Sequence, residues 1–266
     1  LLAAARVSAE GRPLLQVRGL THLYGSHVGC LDVGFDLWPG EVLGVVGESG
    51  SGKTTLLDCL AGRSTPRAGS VRYRTADGRA VDVLGMTTAE RRRLMRTEWG
   101  IVRQNPRDGL RMRVTAGANV SERLMAVGER HYGRLRNAAL AWLGQVEIEG
   151  NRLDDLPETF SGGMQQRLQI ARNLVTRPCL VLMDEPTGGL DVSVQARLLD
   201  LLRGLCADLG LAAIVVTHDL AVTRLLAHRL LVMRRGEVVE AGLTDQVLDD
   251  PQHPYTQLLV SSVLPP

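Results

Sequence analysis

The nine residues Gly47-Glu48-Ser49-Gly50-Ser51-Gly52-Lys53-Thr54-Thr55 constrain this chain more than any other stretch. Residues 47–54 fit G-x-x-x-x-G-K-[ST], a loop whose glycines turn the backbone tightly and aim successive N–H groups inward as a nest for a di- or triphosphate. Lys53 adds a flexible point charge for the outer phosphates, and the Thr54 hydroxyl can ligate Mg²⁺. Such a loop joins a buried strand to a helix. Residues 41–46 (Glu-Val-Leu-Gly-Val-Val) predict that strand, and residues 54–61 the helix, closed by Gly62. Composition points the same way, because of 31 Lys and Arg only Lys53 is lysine. A phosphate nest takes a compact ammonium on a thin stem, which a planar guanidinium does not replace.

The 266 residues allow one large α/β domain or two small ones. An apolar fraction of 44% and a mean hydropathy near zero suit a soluble chain with a substantial core. At a net charge of +2, no global field demands nucleic acid or an anionic membrane. No apolar run approaches the roughly 18 residues that span a bilayer. The opening Leu-Leu-Ala-Ala-Ala is too short for a signal peptide, and residues 1–12 are expected to be disordered. Cys30, Cys59, Cys179 and Cys206 form no C-x-x-C pair and lie in apolar segments. They read as small core residues in a reducing, cytoplasmic compartment.

Strands are expected over residues 14–18 and 28–37, with Pro39-Gly40 as the turn into the loop strand and a further strand at 70–73. These make a small antiparallel sheet beside the nucleotide core. Tyr24, one of nine aromatic residues, either stacks on an adenine ring or packs at a strand edge. Thr87 and Glu90 are spaced as a capping box for a helix, and residues 100–103 read as a short strand leading to Gln104. Eight arginines against Glu98 and Asp108 lie between residues 91 and 113. Apart from Trp99 they lack stacking aromatics, so a solvated or protein-docking face is favoured over a nucleic-acid surface. Residues 114–157 read as a helical lobe, with Leu135, Ala138, Trp142 and Val146 on its buried face.

Phe160-Ser161-Gly162-Gly163-Met164-Gln165-Gln166 opens a helix expected to run to Thr176. Ser161 is an N-cap candidate, and the two glycines leave the first N–H groups bare, which makes either an anion site or an ordinary helix start. Residues 179–183 form an apolar strand ending in Asp184-Glu185. There Asp184 can hold Mg²⁺ through water and Glu185 can activate an attacking water, unless both are merely solvated acids. After Pro186-Thr-Gly-Gly-Leu-Asp191 a helix is expected to run to Leu209 with Val194, Leu198, Leu201, Leu202 and Leu205 on one face. Residues 212–217 are another buried strand, and His218 at its end can reach a γ-phosphate or remain a surface histidine. Residues 230–233 and 237–240 form a hairpin turning at Arg235-Gly236.

Taken together, the loop 47–54, Gln104, Ser161-Gly162-Gly163, Asp184-Glu185, Asp191 and His218 resemble the ATPase subunits of the ATP-binding cassette (ABC) family over about residues 14–260. The resemblance implies an α/β P-loop NTPase with a RecA-like parallel-sheet core, an antiparallel β subdomain and an inserted helical subdomain at about residues 105–165. All of residues 13–266 would form one ABC ATPase domain. It implies ATP and Mg²⁺ as cofactors, with Glu185, His218 and Gln104 in catalysis and Thr54, Gln104 and Asp184 at the metal. It also implies Tyr24 on the adenine, and residues 47–55 with Asp191 around the nucleotide. Two copies would pair head to tail, with Ser161-Gly162-Gly163 of one completing the loop of the other. Met164 stands where the family has Gln, and Gly188-Gly189 replace the usual small residues, which is expected to loosen that loop.

The C-terminal His253-Pro-Tyr-Thr-Gln-Leu-Leu259 resembles the oligopeptide, dipeptide and nickel importer branch. Asp108-Gly-Leu-Arg-Met-Arg113, however, departs from the Ser-Leu-Asn-Pro element with which that branch meets its permease. Four stretches, Arg91-Arg-Arg-Leu-Met-Arg-Thr-Glu-Trp-Gly100, Glu122-Arg-Leu-Met125, Arg130-His-Tyr-Gly133 and Glu185-Pro-Thr-Gly-Gly-Leu-Asp-Val-Ser-Val-Gln-Ala-Arg197, resemble the ATPase component of the bacterial carbon–phosphorus lyase system. That implies an ATPase serving a phosphonate-degrading complex, with the arginine-rich segment as docking face. The motor of a peptide or nickel importer, partnered by a membrane permease, is the alternative.

Overall fold

The computed structural model describes residues 11–263; the disorder expected of residues 1–12 falls, up to residue 10, outside the described residues. Its centre is a strand of five residues, β3 (Val42–Val46), every one of them buried. Around it run β6 (Trp99–Val102), β7 (Leu180–Asp184), β8 (Ala212–Val216), β9 (Arg229–Arg234) and β10 (Glu237–Leu243). They form a six-stranded sheet in the order β10-β9-β3-β8-β7-β6, parallel throughout except for the β9-β10 hairpin at one edge. Strands covered on both faces must be apolar at every position, which is why β3 and β8 read as unbroken Val, Leu, Ile, Ala and Gly.

The pleat then sorts the side chains. Leu43, Val45, Leu180, Leu182, Ile214 and Val216 face one hydrophobic cluster, together with Leu56 and Leu60 of helix α1 (Lys53–Leu60). Val42, Val181, Met183, Ala213 and Val215 face the other, with the helices that follow. Fully burying one such leucine is worth roughly 1.5–3 kcal/mol, so this alternation dominates the register.

Against the first cluster lies a four-stranded antiparallel sheet, ordered β2-β1-β4-β5, from β1 (Leu15–Tyr24), β2 (His27–Leu37), β4 (Ala68–Arg74) and β5 (Ala80–Asp82). β5 is only three residues long, with Val81 half-buried against the first cluster, too short for an alternating pattern to show in the sequence. The helix α2 (Thr88–Thr97) begins with the full capping box of Thr87 and Glu90. Trp99 is fully buried edge-on to Tyr73 (ring centroids 5.1 Å apart), so it offers no face for base stacking.

The segment after β6 folds into α3 (Ala116–Ala126), α4 (Tyr132–Gln145) and short 3₁₀ turns. It returns through α5 (Gly162–Leu174), which stops two residues before Thr176. The buried face of α4 carries Leu135, Ala139 and Leu143, continued by Val146, while Ala138 and Trp142 are half-buried at its margin. Likewise α6 (Val192–Leu209) buries Leu198, Leu199, Leu202 and Leu205, leaves Leu201 half-buried, and exposes Val194. In both helices two adjacent apolar residues satisfy the helical period, and tertiary packing chooses between them. The chain ends in α7 (Leu220–Leu226), α8 (Thr244–Asp249) and α9 (Pro254–Val263). Among the described residues no helix is long and apolar enough to cross a membrane.

If the α4 face is as observed, Leu143→Ala should cost about 2–5 kcal/mol in urea unfolding. Ala138→Ser, at the margin, should stay within about 0.5 kcal/mol of the parent.

Candidate active site

Four parallel strands, in the spatial order β3-β8-β7-β6, all end on the same edge of the sheet. The loop after β3 holds residues 47–52, that after β8 His218, that after β7 Glu185, and that after β6 Gln104. This is where open α/β sheets place a ligand.

The β3 loop is held from several sides. Gly47 takes φ +148°, and a methyl group there would stand 2.2 Å from the Met233 carbonyl oxygen at the end of β9. At Gly52 (φ +105°) the corresponding distance to the Gly29 carbonyl oxygen of β2 is also 2.2 Å. No other residue fits either position. Gly52 is the N-cap of α1, so the first amides of that helix open onto the loop. Lys53 is buried, and its Nζ donates to the carbonyl oxygens of Gly47 (2.7 Å) and Glu48 (2.8 Å) and to Ser51 Oγ (3.3 Å). Burial pulls its pKa down, opposed by the charges of Glu185, Asp184 and Glu48.

Glu185 sits between two partners brought from opposite sides. Its Oε1 pairs with His218 Nδ1 at 2.8 Å, and its Oε2 accepts from Gln104 Nε2 at 3.0 Å. Its own backbone is left-handed (φ +42°), uncommon for a residue with a side chain, and its N–H donates to the Val216 carbonyl of β8 (2.8 Å). Beside it, Asp184 Oδ1 lies 3.5 Å from Thr54 Oγ1. Burial raises the Asp184 pKa, and repulsion from Glu185 and Asp58 adds to this; the Thr54 hydroxyl and Arg63 oppose it. A cleft of about 150 Å³ runs from Gln104 and Asp184 to Arg63 and Arg103.

The donor set fits Mg²⁺. The Thr54 hydroxyl, the Asp184 carboxylate and the amide oxygen of Gln104 are hard oxygens, and among the described residues Asp184 makes no ion pair. No group of three or more His, Cys, Asp or Glu able to cage a metal occurs among the described residues.

The helix start at Ser161 is a second, separate location. Ser161 Oγ accepts from the Met164 N–H (3.3 Å), so it is an N-cap, and Ser161 and Gly162 are exposed. Among the described residues no hydrogen bond or ion pair joins this segment to the β3 loop. It packs instead on the head of α6, where a methyl group at Gly163 would come within 2.6 Å of Val194. Asp191, N-cap of α6, is exposed and makes no side-chain cap bond. Nearby, Gly188 N–H closes a turn onto the Glu185 carbonyl (2.9 Å), and a methyl group at Gly188 would stand 3.4 Å from Gln104. The loop expected to be loose therefore lies against the Gln104 side chain. Tyr24 is half exposed, edge-on to His22, and stands beside Thr55 across Gly29.

Sequence reasoning missed what holds Gln104 in place. The residue before it, Arg103, donates its N–H to Gln169 Oε1 (2.6 Å), and its carbonyl accepts from Gln169 Nε2 (3.1 Å) and Gln166 Nε2 (3.2 Å). Both glutamines are buried in α5. The available signal was three glutamines at core-facing positions of one helix, because buried amides require specific partners.

The sequence profile of the ABC transporter family matches residues 30–188. The chain is 68% identical over 253 residues to the phosphonates utilization ATP-binding protein PhnK of Escherichia coli (strain K12), spanning 95% of this chain and 98% of that one. It is 37% identical to a peptide import ATP-binding protein of Brucella ovis, spanning 96% of this chain and 80% of the relative. Among solved structures, it is similar to the dimeric ATP-binding cassette MJ0796 in a post-hydrolysis state bound to ADP and Pi. That match has a TM-score of 0.76 at 29% identity and spans 86% of this chain and 98% of the other. The chain therefore belongs to the ABC transporter family, as one of its ATPase cassettes.

Proposed function

We propose that this cassette binds Mg²⁺–ATP at residues 47–55, hydrolyses it as a head-to-tail homodimer, and couples the cycle to a cytoplasmic carbon–phosphorus lyase complex in phosphonate catabolism. The observation that carries the hydrolytic part is Glu185, held by Gln104 and His218 on the strand edge where Lys53, Thr54 and Asp184 converge. Tyr24, beside Thr55, takes the adenine by stacking.

Lys53 keeps its bond to the Gly47 carbonyl and exchanges those to the Glu48 carbonyl and the Ser51 hydroxyl for phosphate oxygens. Thr54, Asp184 and Gln104 hold Mg²⁺, which when bound neutralises charge on the outer phosphates. Glu185 accepts a proton from water as the water oxygen bonds to the γ-phosphorus. The bond from that phosphorus to the β–γ bridging oxygen breaks, and its electron pair leaves with ADP. His218 and Gln104 keep the Glu185 carboxylate turned toward that water. The exposed Ser161-Gly162 start of α5 and the free carboxylate of Asp191 suit contact with a nucleotide bound by a second copy.

The phosphonate assignment rests on the likeness to PhnK along nearly its whole length. The surface agrees with a protein partner. Arg91, Arg92, Arg96, Arg123 and Arg172 line a groove of about 460 Å³, and of these Arg172 already pairs with Glu122 (3.0 Å). Arg123 is part of this lining; burial and then the repulsion of Arg172 draw its pKa down to about 10, with Glu122 opposing and Arg96 adding to the fall, so it is charged at neutral pH. Acidic side chains on a partner would complement it. The importer reading is supported by the Brucella ovis relative.

Lys53→Ala should weaken ATP binding by about 10- to 100-fold in calorimetric titration, as loss of charged hydrogen bonds requires. Glu185→Gln should lower steady-state turnover by roughly 10²- to 10⁴-fold while ATP still binds and drives dimerisation in sizing chromatography. Unchanged hydrolysis would remove Glu185 from its role. A gentle pull-down from phosphonate-grown cells, read by mass spectrometry, should bring lyase subunits, and Arg96→Glu should reduce their recovery. Recovery of integral permease subunits would establish the importer reading.

A further inference from the structure

The C-terminal motif His253-Pro254-Tyr255-Thr256 has no part in the chemistry above, yet the fold brings it against the phosphate loop. His253 caps α9, its Nδ1 accepting from the Tyr255 N–H (3.1 Å) and its carbonyl from Gln257 N–H (3.0 Å). Pro254 occupies the first helical position, where no N–H is needed. Glu240 of β10 accepts from the backbone N–H of Gln252 (2.8 Å) and of His253 (3.0 Å), fastening the start of the helix to the sheet. Tyr255 is thereby driven into a third hydrophobic cluster with Val46, Leu230, Val232 and Leu248 and is only 4% exposed. The Arg234 guanidinium covers its ring, 4.9 Å from the centroid.

A phenylalanine would fill that cluster equally well. The hydroxyl answers a different need, because it accepts the backbone N–H of Glu48 at 3.0 Å. That N–H belongs to the same planar peptide unit as the Gly47 carbonyl, which accepts from Lys53 Nζ at 2.7 Å. Fixing one end of a planar unit fixes the other, and a hydrogen bond to its N–H strengthens its carbonyl as an acceptor. Gly47, at φ +148°, contributes little stiffness of its own.

We infer that Tyr255 is a positioning residue of the nucleotide site: from the start of the C-terminal helix its hydroxyl holds the peptide joining Gly47 and Glu48, and through it the Lys53 ammonium, in the arrangement that receives a polyphosphate. The inference rests on the nucleotide-binding reading of this loop and extends the site to a segment about 200 residues away in sequence.

Three proteins test it: the parent, Tyr255→Phe, which keeps the ring and loses only the hydroxyl, and Leu259→Ala, which loosens the same cluster without touching the loop. Each is titrated with the imido analogue of ATP and Mg²⁺, melted, and assayed for ATP turnover. Tyr255→Phe should bind the analogue about 3- to 10-fold more weakly, the loss of one hydrogen bond. Its KM for ATP should rise by the same factor, with kcat within about twofold. Leu259→Ala should lower the melting temperature and keep its affinity within about twofold. Tyr255→Phe binding as tightly as the parent overturns the inference, as does affinity lost in both variants in proportion to their melting temperatures. A parent that fails to bind the analogue sinks the nucleotide reading itself, which separates the two failures. Amide exchange on the unaltered protein needs no variant: the Glu48 N–H should be protected before nucleotide is added, and fast exchange there overturns the inference.

Discussion

Everything in this molecule depends on the parallel pairing of β6, β7, β8 and β3 in one register. Val102 pairs with Met183, Asp184 with Val216, and Val216 with Val45, so the strands end in step and their loops leave along one line. Alternate side chains enter separate hydrophobic clusters, and a slip of one residue would exchange every one of them between faces. The alignment of Gln104, Glu185 and His218 is thus enforced by leucines and valines that take no part in the chemistry.

On that edge the charges are held unfavourably. Lys53 is buried, and its hydrogen-bond partners are carbonyl and hydroxyl oxygens of the loop. Asp184 resists ionisation because it is buried beside Glu185. Glu185 adopts a backbone conformation of order 1–3 kcal/mol above an ordinary one. A bound polyphosphate and its cation would supply what is missing in each place: anionic oxygens for Lys53 and positive charge for Asp184. Such an arrangement favours the liganded state because its free state is under-compensated. The supporting contacts are correspondingly strict, with Gln166 and Gln169 gripping Arg103 on one side and Tyr255 gripping the loop on the other.

Local chemistry was readable without coordinates. The phosphate loop, the capping box at Thr87, the N-cap at Ser161 and the apolar strands are set by neighbours within a few residues, so their physical requirements appear as spacing. The buried face of α4 lies one residue from the expected stripe, on Ala139 and Leu143 where Ala138 and Trp142 also fit, while α6 buries the expected Leu198, Leu202 and Leu205 together with Leu199, and leaves Val194 exposed and Leu201 half-buried. The rotation of each helix is decided by what it packs against. β5 leaves no readable trace for a different reason, since a three-residue edge strand with a single half-buried side chain, Val81, is too short to show an alternating pattern.

By itself, then, the sequence determined which groups could do chemistry: the lone lysine in a glycine loop, adjacent carboxylates closing an apolar strand, and a histidine closing the next. It could do so because loop geometry and strand polarity are local properties of the backbone. Only the tertiary structure decided which of these groups meet. It placed Gln104 and His218 on the two oxygens of Glu185, held Ser161-Gly162-Gly163 on the head of α6 away from the loop, and set Tyr255 against Glu48. Those contacts join residues far apart in the chain through packing that no local spacing encodes.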